Sequence, residues 1–288
     1  NTTGHGIIGK HNLSKHNLTF RETSVLLNSR LKLDGSMNLM RQVVKNKPTV
    51  GGFYMNPLVG LYRFPRGEDI AYYKENFEVY DEGRNLNIQN WHTSYEDFEQ
   101  NPYWITNRIL SKENRMHVIV SLSANLKIND WLSLQARGNV DYINDKVRQQ
   151  FYASTAPALA GANGRYIEMD YQETQYYGDA ILMMKKQWDA FSLNAALGAS
   201  INDKTVNSTR YDSKTASLKY ANVFNLANII MNGSAGLDQK IDARRQLQSL
   251  FATAQLGYNE FVYLDLSARN DWSSTLAYTS HEKSGFFY

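Results

Sequence analysis

The sequence predicts an all-β fold, a segment of an antiparallel transmembrane β-barrel that carries long extracellular loops. Three observations predict it. Apolar and polar residues alternate over long runs, short and long connections alternate between those runs, and aromatic residues lie beside the short connections. Membrane-spanning barrels combine these features, because each strand faces lipid on one side and a polar interior on the other.

The alternation is clearest between Arg115 and Ile128, where only Ile119 breaks the pattern of apolar residues on one face and polar residues on the other. A second run starts at Leu132, and the turn-prone pair Asn129–Asp130 lies between the two, so together they predict a hairpin. Similar runs bring the expected number to about eight strands. These are Lys15–Val25, Leu31–Leu39, Arg115–Ile128, Leu132–Tyr142, Tyr176–Lys186, Phe191–Asn202, Ser249–Leu256 and Val262–Asp271.

The connections between the strands are short and long in strict alternation. The short ones are Leu27–Arg30, Asn129–Asp130, Gln187–Ala190 and Asn259–Glu260, and the long ones are Gln42–Asn114, Ala153–Asp170, Asp212–Asp242 and Ser273–Ser284. Outer-membrane barrels have short turns on the periplasmic side and long loops outside. Beside the short turns lie Trp131, Trp188, Tyr258 and Phe261, where an interfacial aromatic girdle is expected.

The alternation also predicts which side chains face lipid and which face the barrel interior. The side chains expected to face lipid are Val118, Val120, Leu122, Leu134, Ala136, Leu193, Leu197 and Leu264. Those expected to face the lumen or a plug are Arg137, Asp141, Asn194 and Asp265. A soluble β-sandwich would also alternate, but runs of 12 or more residues exceed the usual ~5–6 of a soluble strand.

Composition excludes several other classes of protein. The mean hydropathy of −0.51 and the lack of a long apolar run exclude a membrane-spanning helix, which needs ~18 apolar residues. The 31 basic and 28 acidic residues are interspersed, so no nucleic-acid-binding patch is expected. Without cysteine, disulfides and thiolate metal sites are impossible. The absence of a signal peptide at Asn1 and the apolar end at Tyr288 suggest a fragment.

Three segments carry a resemblance to one family. Leu250–Tyr288 reads LFATAQLGYNEFVYLDLSARNDWSSTL and ends in SGFFY, Asn101–Arg108 reads NPYWITNR ahead of a strand pair, and Asn222–Asn228 reads NVFNLAN. In these segments the chain resembles the SusC/RagA family of TonB-linked outer-membrane proteins. The match of Leu250–Tyr288, with its strand, short turn and R-x-D-x-S-S ending, is the most specific of the three.

The resemblance implies a closed barrel of about 22 strands around an internal plug. Residues 1–288 would be part of the barrel domain of a TonB-dependent receptor, with the plug and the C-terminal strands absent. It further implies a bacterial outer-membrane location, surrounding lipid, import of glycan fragments or peptides, and a SusD-like surface lipoprotein as lid. The TonB complex would be contacted through a missing N-terminal part.

Aromatic residues in the first long connection are candidates for binding an oligosaccharide or peptide. They are Trp91, Tyr95, Tyr103 and Trp104. Aromatic faces stack on sugars and on peptide side chains while polar neighbours read hydroxyl groups. The same four could instead pack the loop against the barrel rim or the lid, and the position of Tyr103 and Trp104 inside the NPYWITNR motif favours that structural role.

Catalytic, cofactor and metal sites are not expected. The six histidines show no metal-ligand spacing, and no nucleotide-binding or nucleophile-elbow motif occurs. The paired acids Glu68–Asp69 and Glu96–Glu99 could serve a glycosidase or bind Ca²⁺, but they are interpreted as mainly solvating the loops. Three alternatives to an importer stay open: a passive porin, a small closed-barrel enzyme and a secreted adhesin or sandwich.

Overall fold

The computed structural model describes residues 1–47, 54–93, 99–214, 218–231, 235–276 and 284–287. Ten strands form one sheet, in which the strands lie side by side in chain order and every neighbouring pair is antiparallel. The sheet is open, as a segment of a larger barrel would be. The strands of the sheet are β1 Thr2–His5, β2 Asn12–Leu26, β3 Leu31–Lys45, β6 Ile109–Lys127, β7 Leu132–Phe151, β8 Arg165–Trp188, β9 Phe191–Asp212, β10 Gly236–Tyr258, β11 Val262–Ser273 and β12 Ser284–Phe287.

The eight predicted strands and the predicted 129–130 hairpin turn are confirmed, but the long strands extend further than expected. β8, for example, starts at Arg165 rather than near Tyr176. In the added part polar residues such as Glu168 and Asp170 occupy the face that is apolar further along the strand, while Ile167 and Met169 lie on the other face, so the alternation that marks the strand in the sequence is lost there. Short elements were missed as well: β1, β12, a separate hairpin and three helices in the first long connection. No helix of the described ranges is long and apolar enough to span a membrane.

The positions of the short turns show that the strands are tilted. One row of cross-strand partners runs through Leu26, Leu31, Leu126, Leu134, Leu182, Leu197, Ala252 and Ala268. The β2–β3 turn begins at this row, whereas β10, which is six strands further across the sheet, continues six residues beyond the row, to Tyr258. Six residues span about 20 Å along a strand, and six strand spacings span about 29 Å across the sheet, which gives a tilt of about 35°. Membrane barrels have strand tilts of about 35–45°.

The strand register separates the two sets of predicted side chains. Cross-strand partners share a face, and the register puts all eight residues expected to face lipid on one face and the four expected to face the lumen on the other. On the apolar face large side chains are bare: Leu122, Leu197 and Leu264 are each more than half exposed. Monomeric soluble proteins rarely expose so large an apolar surface, so the prediction of two faces is confirmed and the bare one suits lipid.

The opposite face carries a continuous row of hydrogen-bonding side chains, called here the polar row. Its members are Thr23, Asp34, Ser123, Arg137, Asp179, Ser200, Ser249 and Asp271. Arg137 donates two-pronged hydrogen bonds of 2.8–3.1 Å to Asp179, which also accepts from the Tyr177 hydroxyl at 2.6 Å. Because a polar group away from water is costly unless it is paired, these bonds suit an enclosed interior.

Aromatic rings lie at the short-turn end of the sheet, where the interfacial aromatic girdle was expected. The Lys186 ammonium lies 5.4 Å from the Trp131 ring centre and 5.3 Å from that of Trp188. On the neighbouring hairpins the rings of Phe191 and Tyr258 contact each other at an angle of 48°, with their centres 5.0 Å apart. Rings with exposed apolar faces and a nearby cation are typical of a membrane–water interface.

Candidate functional site in the long connections

The buried apolar residues lie at the end of the sheet opposite the short turns, in and beside the long connections. The first connection forms α1 Pro57–Arg63, α2 Ile70–Glu75, the hairpin β4 Glu78–Asp81 with β5 Leu86–Gln89, and α3 Pro102–Arg108. Each helix has a capping side chain: Asn56 accepts from Leu58 N at 3.0 Å, Asp69 from Ala71 N at 2.8 Å and Asn101 from Tyr103 N at 2.8 Å. An Asn-Pro pair starts both α1 and α3, a local signal for helix starts that is independent of the apolar alternation of the strands.

Asn101 joins three parts of the first connection. Its side chain is fully buried and donates hydrogen bonds to the carbonyls of Tyr73 at 2.9 Å and Asn90 at 2.8 Å, besides capping α3. Its backbone N–H donates to the Gln89 side chain at 2.6 Å. A single asparagine, the first residue of NPYWITNR, therefore holds α2, the hairpin and α3 together.

We expect Asn101→Ala to destabilise the first connection by about 2–3 kcal/mol, because it removes a helix cap and leaves the part-buried carbonyls of Tyr73 and Asn90 without their donor. Hydrogen exchange of the α2 and α3 amides in the intact protein would measure it. Asn56→Ala, which removes the cap of α1 alone, is the matched control and should cost about 1 kcal/mol. Equal effects of the two substitutions would contradict the joining role of Asn101.

Trp104 connects the first long connection to the second. Its side chain is 0% exposed, and its indole N–H donates to the Thr155 hydroxyl at 3.1 Å. Next to it the Ala156 N–H donates to the Gln100 side chain at 2.7 Å. The apolar contacts continue through the cluster of Ile105, Ile109, Phe151, Ala160 and Ile167.

The second and third connections are joined in the same way. The Ala153 N–H donates to the Asn222 side chain at 2.7 Å, and Asn163 donates to the Leu218 carbonyl at 2.9 Å. Tyr166, Leu218 and Ile229 form a second buried cluster. The described parts of the three connections therefore form one packed unit, called here the loop assembly: residues 54–93, 99–108, 152–164, 213–214, 218–231 and 235.

A charged group is buried among aromatic rings in the loop assembly. The Glu99 side chain is 2% exposed; its Oε1 lies 3.1 Å from His92 Nε2 and its Oε2 lies 3.2 Å from Arg63 Nε. The ring of His92 lies against that of Trp91 with a 4.7 Å separation of centres. The expectation that the Glu96–Glu99 acids are solvated is therefore wrong for Glu99, because a cation and a ring nitrogen replace water around its carboxylate.

The rings of Phe64 and Tyr73 complete this cluster, at 5.3 Å each from the Trp91 ring. Burial raises the pKa of the Tyr73 hydroxyl, which donates to Glu68 at 2.9 Å. In the described part of the chain, no group of three or more His, Asp or Glu residues is arranged to hold a metal ion. The ring contacts pack this part of the loop together, and sequence spacing could not reveal the cluster because its members are up to 36 residues apart.

The four candidate binding residues occupy different environments. Trp104 is enclosed, Trp91 is 9% exposed, and Tyr103 is half-buried at the second position of α3. Tyr95 lies outside the described residues. The structure brings Trp91 and Trp104 into the packing of the loop assembly, whereas Tyr103 keeps part of its surface open, and ligand binding by any of the four stays a prediction.

Comparison with solved structures identifies this architecture. The RagAB peptide transporter matches over 96% of this chain and 29% of its own, with 18% identity and a TM-score of 0.65. The RagAB peptide importer in its 'open-open' state matches at a TM-score of 0.67 with 18% identity, over the same 96% and 29%. The pyoverdine-bound FpvA of P. aeruginosa matches over 94% of this chain and 32% of its own, with 12% identity and a TM-score of 0.56.

The chain spans less than a third of the length of these matching structures. No protein-family model matches the sequence, and a comparison with curated proteins finds no match. RagA is a SusC-like TonB-dependent transporter, and the matching proteins are outer-membrane receptors of Gram-negative bacteria. The recognition made from the sequence is thus confirmed at the level of fold: this chain has the fold of a barrel segment of a SusC/RagA-like, TonB-dependent outer-membrane receptor.

Proposed function

We propose that this chain is part of the barrel domain of an outer-membrane transporter that imports glycan fragments or peptides with energy supplied by TonB. The observation that carries the proposal is the division of the sheet: one bare apolar face, one hydrogen-bonded polar face, and a packed loop assembly at one end only. A barrel made of such strands would enclose a polar interior beneath an ordered mouth.

The polar row supports a plug inside that interior. The Asp179 side chain is 1% exposed, whereas the side chain of Arg137, which pairs with it, is 47% exposed on the polar face. A guanidinium has five N–H donors, and of those of Arg137 only the ones on Nε and Nη2 bind Asp179. The remaining donors can bind polar groups of a plug that packs against this face. Residues 1–288 would supply only the wall, and the plug and TonB-contacting segment would belong to other parts of the same protein.

The loop assembly supports a partner at the mouth, which we propose to be a SusD-like surface lipoprotein. On α1 the side chains of Leu58, Leu61 and Tyr62 are exposed, the last by 87%. Spaced three and four residues apart, they lie on one side of the helix. An exposed apolar face on a rigid element suits a recurring protein contact or a ligand, and the half-buried Tyr103 lies on α3, which packs against α1.

Growth on defined nutrients tests the function. A strain that lacks the intact parent protein should lose growth on its glycan or peptide substrate, and restoring the gene should rescue growth only when the TonB system works. A passive porin would support uptake without TonB, so full rescue in a TonB-deficient strain would refute the importer. The structural neighbours are transporters and receptors, which lends no support to the barrel-enzyme alternative.

A further inference from the structure

A row of like charges lies on the apolar face of the sheet, close to its loop end. Lys45, Lys112 and Arg148 are direct cross-strand partners on β3, β6 and β7, and all three side chains are exposed. Six residues along their strands lie Leu39, Val118 and Tyr142, which are cross-strand partners on the apolar face, so the three basic residues share that face. This group is called here the basic row. Like charges placed directly opposite each other destabilise a sheet, so the row calls for a source of negative charge.

The chain itself supplies little of that charge. Arg148 pairs with Glu168 at 3.1 Å, whereas neither Lys45 nor Lys112 has an ion-pair partner within the described ranges. The residues that follow Lys45 up to position 53 contain no Asp or Glu. On β3 the exposed Arg41 adds a further positive charge to the same face, nearer the apolar residues.

The height of the basic row shows what lies beside it in a membrane. Lys45 is 14 residues from Leu31, at the short-turn end of β3. At ~3.3 Å per residue and the tilt of about 35° derived above, this is about 38 Å along the barrel axis, against an apolar band about 25 Å tall. The row therefore lies about 13 Å beyond the band, and long side chains that bend back towards lipid shorten that distance to the headgroup layer.

We propose that the basic row binds the phosphate groups of the glycolipid in the outer leaflet. This inference rests on the outer-membrane location in the proposed function. A phosphate accepts hydrogen bonds from several cations at once and removes their mutual repulsion. Neutral sugars and acyl chains at the same height cannot do so. The bare apolar face directly below the row would hold the acyl chains of the same molecule.

Lipid binding to the purified, intact parent protein tests the proposal. We expect bisphosphorylated lipid A to bind at least tenfold more tightly than the same lipid with its phosphates removed, as measured by native mass spectrometry. In the double variant Lys45→Gln, Lys112→Gln the preference should fall about tenfold, while the dephosphorylated lipid binds unchanged. Raising the salt concentration should weaken the binding of the phosphorylated lipid and leave the binding of the dephosphorylated lipid unchanged.

The matched control is Lys32→Gln, Lys74→Gln, which removes two exposed lysines, one on the polar face of β3 and one in α2. It should leave the phosphate preference intact. Equal binding of both lipids to the unaltered protein, or an equal loss in the control, would overturn the proposal. Displacement by inorganic phosphate at the lipid's own concentration would also overturn it, in favour of a free-phosphate site. TonB-dependent growth, measured separately, reports on the proposed function alone.

Discussion

Replacing Trp104 with Ala is expected to destabilise the loop assembly of the intact protein by about 3–5 kcal/mol, the usual cost of removing a fully buried tryptophan. The substitution opens a cavity between α3 and the second connection and leaves the Thr155 hydroxyl without its donor at 3.1 Å. Since Trp104 joins two connections rather than two strands, the loss should be local. The barrel should still insert into the membrane.

Hydrogen exchange of the amides in residues 152–164 measures the effect. We expect exchange there to be faster in the variant than in the unaltered protein, whereas exchange in β7 and β8 should be the same in both. The control is Trp131→Ala, which removes the same ring from a short turn where it is 37% exposed. That variant should leave exchange in the loop assembly unchanged. If Trp104→Ala changed only substrate affinity and not exchange, Trp104 would be a binding residue as first considered from the sequence.

The parts of the fold that the sequence predicted are those that face lipid. Between Leu193 and Ile201 every second residue is apolar because lipid covers that face, so period and face can both be read directly. Beyond Asp203 the same strand carries polar residues on both faces, and the alternation no longer marks it. The tilt depends on how far each hairpin extends beyond the neighbouring hairpin. That offset is set by the register between strands, which the residue pattern within one strand does not show.

The loop assembly was predicted less well, because its contacts join residues that are distant in sequence. Asn222 bonds to Ala153, and Trp104 bonds to Thr155, across separations of 69 and 51 residues. Composition showed aromatic residues and acids in the first connection, and those features suit a ligand site as well as a packed loop. Only the burial of Trp104 and Glu99 separates the two roles.

The bare apolar face gives the second large effect: Leu122→Arg should destabilise the intact barrel by about 2–4 kcal/mol, as a charge near the bilayer midplane does. Leu122 is five residues from Lys127 at the end of β6, which at ~3.3 Å per residue and a strand tilt of about 35° places it about 14 Å above the short-turn end, near the middle of a band about 25 Å tall. Its direct partners are Gly35 and Gly138, so no neighbouring side chain can shield an arginine there.

Ser123→Arg is the matched control, since it adds the same side chain one residue along the strand but on the polar face. There the new guanidinium lies between Asp34 and Arg137 and can share the Asp34 carboxylate with Arg21, whose Nη2 lies 2.9 Å from it. Denaturant unfolding of both variants in liposomes measures the difference, which should be at least about 1.5 kcal/mol because only one arginine meets hydrocarbon. Equal costs would mean that the bare face does not meet lipid, and the barrel interpretation of this sheet would fail with it.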